Sequence, residues 1–572
     1  MTLDLKSLAK DLAAFESAGQ LGPDPLARRY AERRAAWGLF SLPMSDAECE
    51  ALRSYVFAWK KLPERPGDDV ARLGNLVDGE WRAPVRGEYA PMRSPADKRV
   101  TLFELPASSA EDVELAVAAG TRAWRSLAWA DEALGYRKHV VKNFSRLLGY
   151  FYEDCLRELR AQIPKTRLEA DKDFFEAKRA ADHLEGNAET ALRGELVPEM
   201  IPGQTYWRNN YLPAGLAAVI TPMNFIYGIP GIQIVGAYLS GCPFIYKGHP
   251  FAGLTNTTLI RMLVAAGADP RFVHKVEGFG KGVATLATDP RVAVVSVTGS
   301  ADTARAMQKG RGLARLRFEG GGCNWSYVDD GYANAELARI AERLTYAKLG
   351  LSSHKCTGLH GVAGSKATLA RLLPLVDAEM GRWEVRDPRT EGTKVLGPLM
   401  VHQASTALSL LAAARRAGLS VLRAGERPAG DWGKYAETIG PSLIAGVTPE
   451  TTLEVEWDGK GTRQFHLATE ELFMPILVAM ELPSFDDFVK FSLFGNPHDL
   501  ATSLYTRDDV KLQRARHCLG GMLKENDGTD SALEWEEFGA STIGESGNMG
   551  VGEAQATLAI YTRRQKGRHL VF

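Results

Sequence analysis

Short apolar runs alternate with amphipathic segments between Leu216 and Val297, and this pattern predicts strands that alternate with helices. The runs are five or six residues long, which is typical of strands buried on both faces. They lie at 216–220, 243–247, 272–276 and 292–297, and helices are predicted at 231–239, at 255–266 and from Val283 onward. Strands joined by helices build a parallel sheet, and such sheets bind ligands beyond the carboxyl ends of their strands.

The second half of the chain repeats this alternation. A helix is predicted from Asn334 to Leu349, and strands are predicted around 361–363, 443–445 and 476–480. No linker or low-complexity segment separates the two halves. The sequence therefore predicts an α/β protein with two lobes and a cleft between them.

The first 74 residues follow a different pattern. Apolar residues recur there at helical spacing, at Leu3, Leu5, Leu8, Leu12 and Phe15. A second helix is predicted over 27–40, and a third, capped by Asp46, is predicted to run through Phe57. Because a run containing Pro and Gly follows at 63–67, we expect residues 1–74 to form a separate helical extension.

The segment from 75 to 213 connects this extension to the first lobe. A strand and turn are predicted from Asn75 to Trp81, and helices at 110–129, 136–160 and 169–184. Gly194 to Tyr211 has extended flanks around Pro202-Gly203, which indicates a hairpin. The end of the chain, 556–572, is predicted to be an extended tail that pairs with this hairpin.

Composition narrows the classes of partner. The chain has 572 residues, which is more than one core usually supports, and its net charge of -1 gives no footprint for nucleic acid or a membrane surface. The six cysteines include no CxxC pair, which argues against a zinc site or a disulfide framework and fits a reducing compartment. Neither a secretory signal nor a span-length apolar run is present. We expect a cytoplasmic protein that binds small molecules.

Two short stretches contain groups that packing alone does not require. Glu319 precedes three glycines, and Cys356 follows Ser352-Ser353-His354-Lys355. A thiol near Lys355 on an irregular turn can have its thiolate favoured, and glycines let a carboxylate and a ligand approach closely. Together, Cys356 and Glu319 predict a nucleophile and a base.

Several motifs from residue 75 to 572 resemble, in order, those of the aldehyde dehydrogenase superfamily. Thr221-Pro-Met-Asn224-Phe is similar to T-P-x-N-F, and Glu319 begins a match to E-x-G-G-x-N. Cys356 matches the cysteine of G-Q-x-C, although Ser353-His354 replaces Gly-Gln. Glu470-Glu471-Leu-Phe473-Met-Pro is similar to E-E-I-F-G-P. Matches in this order are more specific than any one motif, and Lys355-Cys356 with the 521–527 stretch favours the pyrroline-5-carboxylate dehydrogenase-like branch.

The resemblance implies a two-lobed fold with defined domains. A Rossmann-like cofactor domain is expected at 75–193 and 214–319, and an α/β catalytic domain at 320–555. Strands at 194–213 and 556–572 would form a β oligomerisation arm, and 1–74 would be the helical N-terminal extension. A homodimer or homotetramer is expected.

The resemblance also implies a nicotinamide cofactor, NAD or NADP. The residues expected to bind it are Lys247, Gly278, Gly280, Thr298, Gly299, Ser300, Gly321, Glu471 and Phe473. The family's frequent Lys-Pro-x-Glu is Lys247-Gly248-His249-Pro250 here, so the carboxylate that would accept the adenosine ribose hydroxyls is missing and the choice of cofactor stays open. Cys323 stands at the family's usual lysine position.

The implied reaction oxidises an aldehyde to the carboxylic acid. Cys356 would attack the aldehyde, Asn224 and the Cys356 N–H would hold the oxyanion, and Glu319 would activate water to hydrolyse the thioester. Lys355, His354 and the cofactor's charge are candidates for activating the thiol. Arg463, Lys524 and His354 are candidates for meeting a substrate carboxylate, which would suit a semialdehyde.

Two alternatives stay open. A CoA-acylating aldehyde dehydrogenase would pass the same thioester to a thiol, although Glu319 argues against it. A scaffold or binding protein that keeps the fold but has lost catalysis is the second, because Ser353-His354, Pro250 and Cys323 depart from the family pattern.

Overall fold

The computed structural model describes residues 4–38, 42–193, 195–197, 204–533, 535–539 and 546–570. Its α-helices are α1 (Leu5–Ser17), α2 (Tyr30–Ala36), α3 (Asp46–Ala51), α4 (Arg53–Val56), α5 (Ala110–Arg125), α6 (Leu134–Tyr150), α7 (Tyr152–Gln162), α8 (Arg167–Leu192), α9 (Gly228–Leu239), α10 (Gly253–Ala266), α11 (Gly280–Val283), α12 (Thr285–Thr288), α13 (Ala301–Arg311), α14 (Asn334–Leu349), α15 (Lys366–Met380), α16 (Ala404–Arg416), α17 (Gly430–Tyr435), α18 (Phe485–Lys490), α19 (Asp509–Cys518) and α20 (Ala554–Ile560).

The strands of the first half of the described chain are β1 (Gly22–Pro23), β2 (Ala71–Arg72), β3 (Asn75–Val77), β4 (Glu80–Arg82), β5 (Tyr89–Arg93), β6 (Thr101–Pro106), β7 (Glu195–Val197), β8 (Gln204–Pro213), β9 (Ala217–Ile220), β10 (Phe244–Lys247), β11 (Val273–Lys275), β12 (Val294–Thr298) and β13 (Arg315–Glu319). Those of the second half are β14 (Asn324–Val328), β15 (Leu359–Gly364), β16 (Glu384–Val385), β17 (Val395–Leu396), β18 (Ser420–Arg423), β19 (Ser442–Val447), β20 (Thr452–Glu456), β21 (Thr462–His466), β22 (Ile476–Glu481), β23 (Ala501–Tyr505), β24 (Met522–Glu525) and β25 (Thr562–Leu570).

The two predicted lobes are confirmed, each built on one mainly parallel sheet. The first sheet has the order β1-β4-β3-β11-β10-β9-β12-β13, and its five strands from β11 to β13 are parallel. The second has the order β18-β19-β22-β15-β14-β23-β24, with only β18 antiparallel. β13 ends at Glu319 and β14 begins at Asn324, so the chain crosses between lobes through the predicted glycine segment.

The N-terminal extension is not the separate unit that the sequence predicted. Leu8, Leu12 and Phe15 of α1 are buried in the same hydrophobic core as α6 and α10, and β1 pairs with β4 of the first sheet. The carboxylate of Asp24 accepts hydrogen bonds from the hydroxyl of Tyr55 at 2.7 Å and from Nε1 of Trp81 at 2.8 Å. The extension is therefore an integral part of the first lobe.

Three predicted helices near the N-terminus have different bounds in the structure. Residues 27–29 form a 3₁₀ turn before α2, and the end of the predicted helix at 39–40 lies outside the described residues. The cap of α3 is Ser45, not Asp46, because its hydroxyl accepts the Glu48 N–H while the Glu48 carboxylate accepts the Ser45 N–H. The helix predicted over 136–160 is broken at Phe151, which separates α6 from α7.

The predicted hairpin pairs with the C-terminal strand. β7 pairs antiparallel with β8, and β8 pairs antiparallel with β25 over most of its length. The Pro202-Gly203 turn lies outside the described residues. The tail is not extended throughout, since residues 554–560 form α20 before β25 begins.

Candidate active site

Parallel strands bring the predicted site residues to one edge of the first sheet. In the strand register Lys247 lies beside Ile220, Ile220 lies beside Val297, and Thr298 lies beside Glu319. Asn224 follows β9 and Gly278 follows β11 at the same carboxyl edge. This edge faces the turn of the second lobe that contains Cys356, since the Asn224 side-chain amide donates to the His354 carbonyl at 3.0 Å.

A cavity of about 670 Å³ lies where the two lobes meet. Cys356 of the second lobe and Glu319 at the end of β13 both line it, and so does Thr298. Its other walls come largely from α8, from the start of α9 and from the 527–538 segment: Leu168, Asp171, Lys172, Phe175, Glu176, Arg179, Phe225, Ile229, Ile232, Lys355, Thr357, Asp527, Asp530, Ser531, Ala532, Leu533, Phe538 and Val551. The predicted nucleophile and base therefore share one cavity.

Glu319 is a buried acid whose carboxyl oxygens have no hydrogen-bond partner among the described residues. Its exposed fraction is 3%, and burial raises the pKa of its carboxyl well above the ordinary value. The backbone at Gly539 lies so close that a Cβ there would be 2.0 Å from Oε2. A carboxyl with a raised pKa and free oxygens facing a cavity suits a general acid or base.

The turn before Cys356 holds three successive non-glycine residues in the left-handed region. Leu351, Ser352 and Ser353 have φ angles of 55°, 51° and 65°. Each left-handed residue of this kind costs about 1–2 kcal/mol, so surrounding contacts must hold the turn. The contacts span both lobes, since the Leu351 N–H donates to the Glu169 carboxylate of α8 at 2.5 Å and the Ser352 hydroxyl accepts the Gly397 N–H at 2.8 Å.

Asn324 and Asn224 fix the backbone on either side of the sulfur. The Asn324 amide donates to the carbonyls of Cys356 at 2.7 Å and Gly358 at 2.8 Å, while its oxygen accepts the Ala501 N–H at 2.9 Å. Asn224 uses its amide N–H on the His354 carbonyl, and an amide NH₂ group keeps a second N–H for another acceptor. The E-x-G-G-x-N asparagine therefore anchors the nucleophile turn.

The thiol of Cys356 is not activated in the way the sequence suggested. Burial, followed by the carboxyls of Glu319, Glu471 and Glu176, raises the pKa of the thiol well above its ordinary value. A hydrogen bond from the Thr357 backbone opposes this shift only weakly. The free protein therefore holds Cys356 as a neutral thiol.

The prediction that Lys355 favours the thiolate is wrong. The Lys355 ammonium forms an ion pair with Asp530 at 2.6 Å, and lies 4.8 Å from the centre of the Tyr346 ring. Burial disfavours the ammonium, but Asp530 and Tyr346 outweigh it and raise the pKa of Lys355. The positive charge of Lys355 is therefore compensated by Asp530 and not by a Cys356 thiolate.

The prediction that His354 assists the thiol is also wrong. Nε2 of the ring accepts the Met400 N–H at 3.1 Å, which places the proton on Nδ1, 3.3 Å from the Leu351 carbonyl. Burial lowers the pKa of His354 to about 3, so the ring stays neutral. His354 shapes the turn and leaves no nitrogen for the thiol.

None of the three predicted carboxylate-binding residues lines the cavity. Arg463 pairs with Glu470 at 2.8 Å, Lys524 pairs with Glu536 at 2.6 Å, and His354 is used in the turn. The ammonium in the cavity wall that sequence reasoning missed is Lys172, which donates to the Asp530 carbonyl at 3.3 Å. Its helix was predicted, but the periodicity could not show which face of α8 meets Cys356.

The predicted pyrophosphate turn lies between β12 and α13. Ser300 caps α13 by accepting the Thr303 N–H, and Gly299 donates its N–H to the Glu319 carbonyl at 3.0 Å. The Thr298 hydroxyl accepts a hydrogen bond from Gln233 at 2.7 Å. The start of an eleven-residue helix supplies free N–H groups and a positive dipole end, which suits a phosphate.

Lys247 lies at the end of β10 and is 8% exposed. Burial, opposed by the charge of Glu277, lowers the pKa of its ammonium to about 8. The next predicted contacts follow on the neighbouring strand, where Gly278 has a φ of 141° and Gly280 begins α11. A Cβ at Gly278 would lie 3.0 Å from the Val283 side chain, so this close approach requires a glycine.

Gly321, Glu471 and Phe473 form a second group behind the sulfur. A Cβ at Gly321 would lie 2.1 Å from a Glu471 carboxylate oxygen, and the Gly322 N–H donates to that carboxylate at 3.3 Å. Phe473 packs against His354 with the ring centres 5.7 Å apart. These contacts place Glu471 and Phe473 next to the nucleophile turn, where the resemblance expects the nicotinamide ribose.

Comparison with known proteins decides the family. The pattern of the aldehyde dehydrogenase family matches residues 81–565. The chain belongs to this family. Within it, the lean toward the pyrroline-5-carboxylate dehydrogenase-like branch stays a prediction.

The similar proteins that bear on function are distant. Chloroplastic betaine aldehyde dehydrogenase of Beta vulgaris is 23% identical over 453 residues, which is 78% of this chain and 86% of that protein. The mitochondrial, acylating methylmalonate-semialdehyde/malonate-semialdehyde dehydrogenase of Rattus norvegicus is 23% identical over 462 residues, 80% of this chain and 82% of that protein.

Among solved structures, betaine aldehyde dehydrogenase from Staphylococcus aureus in complex with NAD+ superposes with a TM-score of 0.78. It is 18% identical and covers 92% of this chain and 97% of its own, so the likeness establishes the fold. Among the described residues, no helix of this aldehyde dehydrogenase is long and apolar enough to cross a membrane.

Proposed function

We propose that this protein oxidises an aldehyde to the carboxylic acid with NAD or NADP through a thioester on Cys356. The observation that supports this most directly is the shared cavity, because Cys356 and Glu319 come from different lobes and both line it. A nucleophile and a base that face one substrate-sized space can act on the same carbon in turn.

The residues present fit a nicotinamide cofactor. Gly321 has no side chain, so the Glu471 carboxylate can lie close to its backbone. Lys247 contributes a buried ammonium, and the N-terminus of α13 contributes free N–H groups. When bound, an oxidised nicotinamide supplies the hydride acceptor and a positive charge. Lys247, Ser300 and Glu471 are the residues that would hold it, and the Staphylococcus aureus relative was solved with NAD+.

The chain's own residues then divide the reaction into two halves. The Cys356 thiol gives its proton to solvent water and the resulting thiolate attacks the aldehyde carbon, while the second N–H of the Asn224 amide together with the Cys356 backbone N–H stabilises the oxyanion. After oxidation, Glu319 takes a proton from water, which attacks the thioester and releases the acid. Because burial favours the neutral acid, Glu319 must first lose its own proton, and its oxygens, which have no hydrogen-bond partner among the described residues, can then accept one from water.

The CoA-acylating reaction is the second candidate, because the Rattus norvegicus relative is named as acylating. Glu319 supports hydrolysis instead, since a base beside the thioester directs water to it. Product analysis with and without added CoA separates the two, because an acyl-CoA forms only in the acylating reaction.

The test uses the nucleophile and the base separately. Cys356→Ala should abolish aldehyde-dependent NAD(P)H formation, while Glu319→Gln should keep a single turnover but lower steady-state kcat at least a hundredfold. Continued turnover by Cys356→Ala would refute the proposal. Cofactor binding without oxidation of any aldehyde in a broad panel would favour the scaffold reading.

We further propose a homodimer or homotetramer and a cytoplasmic location. The three-stranded β25-β8-β7 sheet supports assembly, because a small sheet can extend by pairing its outer strands with those of another chain. The six free cysteines support a reducing compartment. Light scattering of the purified protein and cell fractionation test these two points, and a monomer or an exported protein would contradict them.

A further inference from the structure

Lys348, on the last turn of α14, is a buried cation that the proposed mechanism does not use. Its exposed fraction is 3%, and its ammonium donates to the Leu472 carbonyl at 3.3 Å. Burial lowers the pKa of Lys348 to about 7, and the charges of Cys323 and Glu471 oppose this shift. Since a buried charge without compensation is costly, a lysine in this place needs a reason.

Glu471 is the group of opposite sign that shares this space. Its carboxylate accepts the Gly322 N–H at 3.3 Å, and Lys348 and Glu471 line the same small cavity of about 10 Å³. Burial raises the pKa of Glu471 to about 8, opposed by the Gly322 hydrogen bond and the Lys348 charge. Each side chain therefore favours the charged form of the other across this small cavity, while burial favours the neutral form of both.

Cys323 is the third group in this buried space. This residue stands where the family pattern has a lysine, and it is completely buried with its thiol donating to the Ala468 carbonyl at 3.2 Å. Burial raises the pKa of the Cys323 thiol, and the charges of Glu471 and Lys348 act on it in opposite directions. The positive charge that the family pattern has at position 323 is thus supplied in this chain by Lys348, in the same buried space.

Lys348 also touches the nucleophile turn. Its backbone carbonyl accepts the Ser353 hydroxyl at 2.9 Å, three residues before the sulfur. The last turn of α14 therefore contacts the turn that presents Cys356 and the loop that presents Glu471.

We propose that Lys348 is a positioning residue of the cofactor site, whose positive charge takes the place of the lysine missing at position 323 and acts across the small shared cavity to favour the carboxylate form of Glu471 for the nicotinamide ribose. The proposal rests on the proposed function, because it assigns Glu471 to the cofactor. Lys348 itself touches neither cofactor nor substrate in this scheme; it acts through Glu471.

The experiment is a double-mutant cycle read by cofactor binding. NADH and NADPH are titrated into the full-length wild type, K348Q, E471Q and K348Q/E471Q, with nicotinamide fluorescence as the signal. K348Q keeps a donor for the Leu472 carbonyl but removes the charge. We expect each single variant to weaken binding about tenfold and the double variant to be no weaker than either, because residues that act as one unit are not additive.

The relocation of the charge is tested by a swap. K348M should weaken binding about as much as K348Q, and K348M/C323K should return to within about threefold of the wild type. The matched control is K366M, an exposed lysine at the start of α15, which should bind as the wild type does. Thermal unfolding identifies any variant that does not fold. If K348M does not fold, K348Q and the swap variant still test the proposal.

Additive losses in the cycle, or wild-type binding by both K348Q and K348M, would overturn the role of Lys348. A swap variant that folds but binds no better than K348M would overturn the replacement at 323. Because titration needs no turnover, a protein that shows this binding pattern but oxidises no aldehyde would refute the proposed function alone. A wild type that binds neither cofactor would refute both.

Discussion

At the scale of single residues, the site is a set of groups kept in their neutral forms. The thiol of Cys356 and the carboxyl of Glu319 both have raised pKa values, and burial is the main cause for each. The imidazole of His354 is neutral because burial lowers its pKa to about 3. We therefore expect the charge that activates the sulfur to arrive with a ligand, and the cofactor is the remaining candidate of the three expected from the sequence.

Glu319→Gln should make the stability of the fold less sensitive to pH. The folded pKa of Glu319 lies above its unfolded value, so the unfolded chain loses this proton first as pH rises, and stability falls until the folded pKa is passed. The stability that the buried neutral acid contributes is present below the unfolded pKa of about 4.3 and is lost above it. Glutamine has no such proton.

Urea midpoints of both proteins at pH 5 and pH 8 measure this effect. We expect the wild type to lose more stability than Glu319→Gln between the two pH values. Equal losses would show that Glu319 is ionised and solvated in the folded protein. Glu391→Gln, an exposed glutamate in the second lobe, is the matched control and should behave as the wild type.

At the scale of elements, α8 joins the nucleophile turn to the substrate cavity. Glu169 near its start accepts the Leu351 N–H, and Asp173 accepts the N–H groups of Ile226, Tyr227 and Gly228, which orders the segment after Asn224. On the same helix, Lys172 and Glu176 line the cavity with side chains of opposite charge. The helix therefore sets both the geometry of the oxyanion group and the charge that a substrate meets.

Lys172→Met should discriminate between aldehydes by charge. Burial and then the neighbouring Lys355 lower the pKa of Lys172, so its ammonium lies in surroundings that favour an anionic ligand. We expect this variant to lower kcat/KM for an ω-carboxy aldehyde about tenfold relative to an uncharged alkyl aldehyde of the same length. Steady-state kinetics with the two substrates measure the ratio.

Lys178→Met is the matched control, because Lys178 lies on the same helix, pairs with Asp182 and does not line the cavity. It should leave the ratio unchanged. An equal loss for both aldehydes in Lys172→Met would show that this lysine does not select substrates by charge. A selective gain for an ω-amino aldehyde would assign the selection to Glu176 instead.

At the scale of the molecule, the N-terminal extension and the first lobe share one core. Leu12 of α1 is 5% exposed and belongs to the same buried cluster as residues of α6 and α10. Leu12→Ala should therefore lower the stability of the first lobe by about 2–4 kcal/mol. The main unfolding transition in urea, followed by circular dichroism, is the measurement.

Leu5→Ala is the control on the same helix, since Leu5 is 37% exposed and should change the transition by less than about 0.5 kcal/mol. If Leu12→Ala altered only a separate, minor transition, the extension would be an independent unit as the sequence first suggested.

Much of the architecture could be predicted because strands buried on both faces leave a plain apolar signal. The predicted runs at 216–220 and 243–247 correspond to β9 and β10 within one residue at each end. Motif order likewise located Cys356 and Glu319, which the structure brings to one cavity. The positions of strands and motifs could be predicted because they depend on residues that are close together in the sequence.

The rest depended on partners far away in the chain. Lys355 is next to Cys356 in sequence, but its ammonium pairs with Asp530, 175 residues away. His354 is fixed by the Met400 N–H, 46 residues away. No sequence pattern identifies Asp530 or Met400 as these partners. The proximity of Lys355 and His354 to Cys356 in the sequence therefore suggested that they activate the thiol, which the structure does not support. Lys348 was missed because a lysine in an amphipathic helix is ordinarily solvated.

The three left-handed residues before Cys356 link the position of its sulfur to the relative orientation of the two lobes. Their conformation is kept by Glu169 on one side of the cleft and by Gly397 on the other, so neither lobe alone fixes the sulfur. A rotation that carried α8 away from this turn would lengthen the Glu169 bond and remove one of the two restraints on the backbone. The rate at which a slow alkylating reagent modifies Cys356 should therefore change with domain closure.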